Sequence, residues 1–203
     1  MKVTSDSKLW IAQQLKEQPK HQKAIVFCLF KKNVSDMAKF LKVQLEDRQV
    51  LECVSGSLGD LPTFRTQDSA VMVCTSVLCA GVSIDGITRV FFLDGVQGPE
   101  ALLQGAGRGA REERDKCFAA LVTTKGNLQY FQQAKLSGVS DMATFCQKCI
   151  DEGVDFTREV CSLFEHPNGS NSVKRKLAAE DDGAAAVQTD KPKVHFHSES
   201  YTL

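Results

Sequence analysis

Short apolar runs recur along the chain, each followed by residues whose apolar positions fall at helical spacing. "KAIVFCLF" (23–30) is a compact β-rich run, and "KKNVSDMAKFLKVQLED" (31–47) then carries Val34, Met37, Phe40, Leu41 and Leu45 at helical intervals. The same kind of run returns at "QVLECV" (49–54), "SAVMVCT" (69–75), "TRVFFLD" (88–94) and "KCFAALVT" (116–123). Each is too apolar on both faces to be half exposed, so each predicts a strand in the middle of a parallel sheet. Segments 58–66, 76–80, 99–106 and 125–136 lie between the runs and predict helical crossovers. The polar N-terminus "MKVTSDSKLWIAQQLKEQ" predicts an amphipathic helix. The fold class is therefore α/β, a layered domain with right-handed crossovers. In such sheets binding groups gather in loops at the carboxyl ends of the strands.

Past residue 125 the apolar period is less regular. The stretch up to "FEHPNG" predicts two or three short helices, with Tyr130 and Phe131 packing on the domain. From about residue 168 small, polar and mixed-charge residues without apolar period cannot offset the entropy of ordering, which predicts a disordered tail. The chain divides into residues 1–125, the main domain, 126–167, a helical cysteine-containing appendage, and 168–203, the tail.

Composition narrows the function classes. With 203 residues, 42% of them hydrophobic, there is material for one substantial core. Lys plus Arg and Asp plus Glu number 25 each, so any contact with nucleic acid must be local rather than the work of a bulk positive field. Eight cysteines without a secretory apolar segment point to a reducing, intracellular setting. No apolar run is long enough to span a bilayer, so no membrane partner is expected.

The candidate chemistry lies in "QGPEALLQGAGRGAR" (97–111), which leaves a strand and enters a helix with Pro99 in its first turn. In a continuous helix Gln104, Arg108 and Arg111 would share one face. Gly105, Gly107 and Gly109 weaken that helix by about 1 kcal/mol each relative to alanine. One reason to accept this is close approach of the backbone to a ligand or a second domain, with the guanidinium forks unobstructed. Two such forks suit a triphosphate. The same arginines also fit weak surface pairs with the "REERD" carboxylates.

Gln104, Gly107, Arg108 and Arg111 form Q-x-x-G-R-x-x-R, which resembles motif VI of superfamily 2 helicases. Before it, "VMVCTSVLCAGVSIDGITRVFF" (71–92) looks like motif V, and "KAIVFCLFKKNVSDMAKFL" is similar to motif IV and its helix. The resemblance is to the second RecA-like domain of the helicase core, over about residues 20–125, with a flavour of the RecQ-like DNA helicases. It implies a RecA-like parallel sheet with helices on both faces. Arg108 and Arg111 would be arginine fingers toward the γ-phosphate of ATP, and Gln104 would orient one of them or the attacking water. Gly81, Asp85 and Gly107 would border the nucleotide. Asp85 falls two residues beyond Ser83, the position where the family usually has its acid. Thr75 and Ser76 would hold a backbone phosphate of DNA, a single strand or fork, although a hydroxyl there also fits plain helix capping.

Nowhere in the sequence is there G-x-x-x-x-G-K-[ST] or a D-E-x-[HD] run, so the cradle for ATP and Mg is expected on a separate Walker-loop RecA-like domain, in cis or in trans. The chain by itself is expected to complete an ATPase site and not to constitute one. A non-catalytic remnant or adaptor that binds nucleic acid is the alternative function class. RecQ-like helicases also carry a zinc subdomain after motif VI, which makes Cys146, Cys149, Cys161 and His166 candidate zinc ligands. The same cysteines also fit core packing. Cys28, Cys53, Cys74, Cys79 and Cys117 lie in or beside the apolar runs and are expected as inert buried thiols. "VKRK" (173–176) is a candidate nuclear-import patch, which would place the protein in the nucleus, and it also fits a plain solvated stretch; the RecQ-like resemblance implies a role in DNA repair or recombination.

Overall fold

The structure, a computed structural model, describes residues 1–57, 59–76, 84–109, 117–134 and 136–164, together with the backbone of 195–196. Strands β1 (Lys2–Val3), β2 (Lys23–Cys28), β3 (Gln49–Cys53), β4 (Ala70–Cys74), β5 (Ile87–Leu93) and β6 (Phe118–Thr123) form one sheet in the order β1-β6-β5-β2-β4-β3, and every pairing is parallel. The apolar runs are buried because the sheet is covered twice. All six residues of β2 and all five of β4 are buried.

Alternate residues of each strand serve alternate faces. Ala24, Val26, Val71, Val73, Phe91 and Val122 pack with helices α1 (Ser7–Glu17) and α2 (Lys31–Gln44). Ile25, Phe27, Met72, Val90, Phe92 and Leu121 pack on the other face. There they meet α3 (Leu61–Thr66), α4 (Pro99–Ala106), α5 (Lys125–Gln133), α6 (Val139–Glu152) and α7 (Phe156–Ser162). The helices on α6 and α7 share this core with the sheet through Met142, Ala143, Cys146, Phe156 and Val160. No helix among the described residues is long and apolar enough to cross a membrane.

The predicted strands and the helices over 58–66, 99–106 and 125–136 appear close to their expected places, the helix expected over 76–80 lies outside the described residues apart from Ser76, and the two-residue β1 adds an edge strand beside β6 that no apolar run announced. Of the expected tail 168–203, only the backbone of 195–196 is described: it forms β7 (His195–Phe196), beside the start of β6. The rest of that segment lies outside the described residues.

A buried arginine anchors the first layer. Arg48 donates from one nitrogen to Leu15 O at 3.1 Å and to Gln18 Oε1 at 2.9 Å, and from the other to Gln22 O at 2.5 Å. Gln18 in turn donates to Thr88 Oγ1 at 2.8 Å, which ties the end of α1 to the start of β5. These polar groups carry no apolar period, so hydrophobic patterning did not reveal them.

Candidate strand and nucleotide edges

Because the strands are parallel, the loops separate into two sets at opposite ends of the sheet. β4 ends at Cys74, which places Thr75 and Ser76 at the carboxyl edge. Thr75 is buried, and its hydroxyl accepts from the Ser55 backbone N–H at 3.2 Å and lies 3.1 Å from the Ser55 hydroxyl. Ser55 and Gly56 follow β3, so the hydrogen bond joins two adjacent strand ends into one hydroxyl-bearing ledge. Ser76 beside it is exposed. The expected cap partners of Thr75 fall on residues 77–83, outside the described residues, as do Gly81 and Ser83.

Next to this ledge is a shallow cleft of about 20 Å³, lined by Cys28, Leu29, Ser76, Gly95, Val96 and Gln97 among others. That is room for about one water molecule. Asp94, at the end of β5, has a left-handed backbone (φ 66°) and a buried Oδ1, and its backbone N–H donates to Val122 O at 2.7 Å. Burial pushes the Cys28 thiol up to about 12, and the nearby Asp94 carboxylate pushes it the same way.

The candidate arginine lies at the other end. α4 begins after the carboxyl end of β5 and crosses the sheet back to its amino edge, where it stops at Ala106 with Gly107 as its cap. The helix therefore ends before Arg108, so the helical face expected to carry Gln104 and Arg108 together is not formed. Gln104 is exposed on the last turn of α4, Arg108 follows the helix end and is half buried, and Arg111 lies outside the described residues. The amide of Arg108 donates to Gly105 O at 3.1 Å and that of Gly109 to Ala106 O at 3.2 Å, so the chain closes in tighter turns than α-helix.

The glycines have a different reason from the one expected. A Cβ on Gly105 would come within 2.7 Å of the Phe92 ring and 3.0 Å of the Phe27 ring. One on Gly109 would run into Cys117 and meet Ile87 O at 3.2 Å. Both glycines let the segment lie against the domain's own core. The Gly109 contacts also fix the location: Ile87 opens β5, and Asp85 and Gly86 immediately precede it. Asp85, exposed, and Gly107 and Arg108 thus share the amino edge. Seven-residue β5 separates that edge from the carboxyl edge by about 20 Å, at roughly 3.3 Å per residue. The expectation that all binding groups gather at the carboxyl ends is corrected for these three residues, since a crossover helix necessarily returns the chain to the opposite edge.

The sequence from 7 to 113, just over half of the chain, matches the helicase conserved C-terminal domain. The chain belongs to the helicase C-terminal domain family. It is 26% identical over 227 residues to the ATP-dependent RNA helicase CshA of Listeria monocytogenes, an alignment covering 98% of this chain and 42% of that protein. The chain thus spans well under half the length of this curated relative. Among solved structures it is similar to domain 2 of the DEAD-box helicase Mss116p bound to an RNA duplex, at 24% identity and TM-score 0.50 over 64% of this chain and 54% of that one. The C-terminal domain of the DEAD-box protein Dbp5 matches at 20% identity and TM-score 0.50, over 67% of this chain and 84% of that one. The fold is RecA-like, as found in the second domain of superfamily 2 helicases. The RecQ-like branch and its DNA track find no support in these relatives.

The helicase family generally uses ATP with magnesium. An exposed carboxylate, a glycine cap and a half-buried guanidinium fit an edge contact with phosphate and ribose. They do not fit a cradle, because no phosphate-wrapping loop with its lysine occurs in the sequence. The zinc expectation is not supported either. Cys146 and Cys149 are buried in the shared core and Cys161 is exposed, while His166 lies outside the described residues. Among the described residues no three His, Cys, Asp or Glu side chains group closely enough to hold a metal. Burial pushes the Cys146 thiol up to about 12. Cys28, Cys53, Cys74 and Cys117 are buried thiols as expected, and Cys79 lies outside the described residues.

Proposed function

We propose that the chain is the second motor domain of an ATP-dependent helicase that acts on RNA, working against a Walker-loop RecA-like domain supplied in cis or in trans. The observation that supports this best is the placement of two candidate sites on opposite edges of one sheet. Thr75 and Ser76 stand at the carboxyl edge, and Asp85, Gly107 and Arg108 stand at the amino edge. A packed sheet is stiff, so a displacement imposed at one edge is delivered to the other.

At the carboxyl edge the exposed Ser76, held beside the hydrogen-bonded ledge of Ser55 and Thr75, offers its hydroxyl to phosphate oxygens, a contact that positions a strand without reading its bases. That agrees with a chain of zero formal net charge. At the amino edge Arg108 would present a charged fork to phosphate held by the other domain, Gln104 would orient it or the attacking water, and Asp85 would reach the ribose, while Arg111, outside the described residues, is the second finger by its place in the motif alone. ATP held with magnesium mainly by the other domain would supply the phosphoanhydride whose hydrolysis drives the cycle. RNA is preferred to DNA as the track because the named relatives are RNA helicases or DEAD-box proteins. An intracellular, nuclear setting belongs to the same proposal and rests on the free thiols and "VKRK" (173–176).

The test is reconstitution. The chain alone should not turn over ATP, and adding a Walker-loop domain of DEAD-box type should produce turnover stimulated by single-stranded RNA. Arg108→Ala and Arg111→Ala should each lower that turnover by roughly a hundredfold or more. Unchanged turnover would remove the finger assignment, and equal stimulation by single-stranded DNA would remove the assignment to RNA. The second reading is a nucleic-acid-binding adaptor without catalysis. Strand binding that persists while no partner domain restores turnover would select it.

A further inference from the structure

Tyr130 was expected to pack on the domain, and it does not: 65% of it is exposed, although its neighbour Phe131 is buried. The exposed ring closes an aromatic series, with Phe131 centred 5.3 Å from Tyr130 and edge-on to it, and Phe30 centred 6.3 Å from Phe131. This series sits at the carboxyl edge. Phe30 lies two residues past the end of β2, and a Cβ on Gly95, just past β5, would lie 3.4 Å from Leu29 and 3.6 Å from Phe131. Leu29 and Gly95 also line the cleft that includes Ser76. A continuous surface therefore runs from the Thr75 ledge across Leu29 and Gly95 to the face of Tyr130.

Its border is cationic. Lys31 and Lys32 follow Phe30 in the first turn of α2, and Lys125 opens α5, the helix that carries Tyr130. All three are exposed, and among the described residues none is in an ion pair. Neither helix has an acidic residue in its first turn. Cations at the positive end of a helix are unfavourable, so fold stability gives no reason for lysine at these positions. An anionic chain lying across the edge does.

We propose that Tyr130 is a base-stacking subsite for single-stranded nucleic acid, with Lys31, Lys32 and Lys125 holding the adjoining backbone phosphates. The subsite extends the strand path of the proposed function beyond Thr75 and Ser76, and it rests on that function. A strand passing the ledge reaches α5 within a few nucleotides, where the phenol ring offers a sequence-tolerant platform and the ammonium groups offer point charges. Stacking of a base on Tyr130 covers an aromatic face that the fold leaves to water.

The experiment measures binding of a fluorescein-labelled twelve-nucleotide oligouridylate to the full chain by anisotropy, over a series of salt concentrations. Tyr130→Ala should weaken binding roughly 5- to 100-fold without altering the salt slope, and Tyr130→Phe should restore it to within about twofold. Lys31→Ala with Lys32→Ala should lower the slope of log K against log salt by about 1.4. Thr75→Val, at the other end of the path, separates the two claims. If Thr75→Val weakens binding and Tyr130→Ala does not, the subsite is wrong and the strand path stands. If wild-type protein fails to bind the strand at low salt, both fall. If Tyr130→Ala and Tyr130→Phe are equally weak, stacking is excluded and the subsite falls with it, the hydroxyl then being the group that matters.

Discussion

Gly105 lies against the Phe92 ring so closely that a Cβ would stand 2.7 Å from two of its atoms. Phe92 is itself stacked on Phe27, with centroids 5.2 Å apart, so neither ring has room to retreat. Gly105→Ala sets two effects against each other. Helix propensity favours alanine by about 1 kcal/mol, while overpacking a filled core costs about 1–3 kcal/mol. The core effect should win, and the midpoint of urea unfolding should fall. A rise would show that the rings can shift and that the glycine serves something other than packing.

Thr75 has a structural duty as well as a proposed binding one. Thr75→Val preserves shape but leaves the Ser55 N–H without its acceptor, which should destabilise the fold by about 1–2 kcal/mol. Chemical denaturation reads that loss, and strand binding measured well below the unfolding transition reads the other. Binding equal to wild type would restrict Thr75 to joining β3 and β4.

Arg48 should behave as a structural arginine. Arg48→Ala leaves Leu15 O, Gln18 Oε1 and Gln22 O without their donor, and should cost about 2–4 kcal/mol. Reconstituted turnover per folded molecule should not change, in contrast to Arg108→Ala. Loss of turnover with unchanged unfolding would reverse the two roles.

The buried thiols set an upper limit in pH. Burial raises Cys28, Cys117 and Cys146 to about 12, whereas an unfolded thiol ionises near 8.5. Below that value both states keep the proton and the fold is undiminished. As pH rises toward 12 only the unfolded chain releases it. Stability should therefore fall above about pH 9, by as much as roughly 1.4 kcal/mol per thiol per pH unit. Denaturation midpoints between pH 8 and pH 10.5 measure this. Iodoacetamide at pH 8 should modify the exposed Cys161 well before these three, and equal rates would mean that the shared core opens readily.

The strands and the helices between them were legible because they obey periods. Runs such as "SAVMVCT" are apolar on both faces, and only a sheet covered twice buries such residues completely. The family was legible because Thr75, Gln104, Gly107 and Arg108 keep a spacing along the chain. Arg48 and Gln18 were missed because a buried polar network has no period, and its partners are distant in sequence.

Local order of residues is thus enough to specify which segments become strand or helix, since side-chain alternation and helical spacing act over a few residues. The long-range arrangement alone decided that Gly105 and Gly109 are packing glycines, that Arg108 stands across the sheet from Thr75, and that Tyr130 faces water. Each of these depends on where a crossover helix lands on the sheet, and that is settled by contacts between residues far apart in the chain.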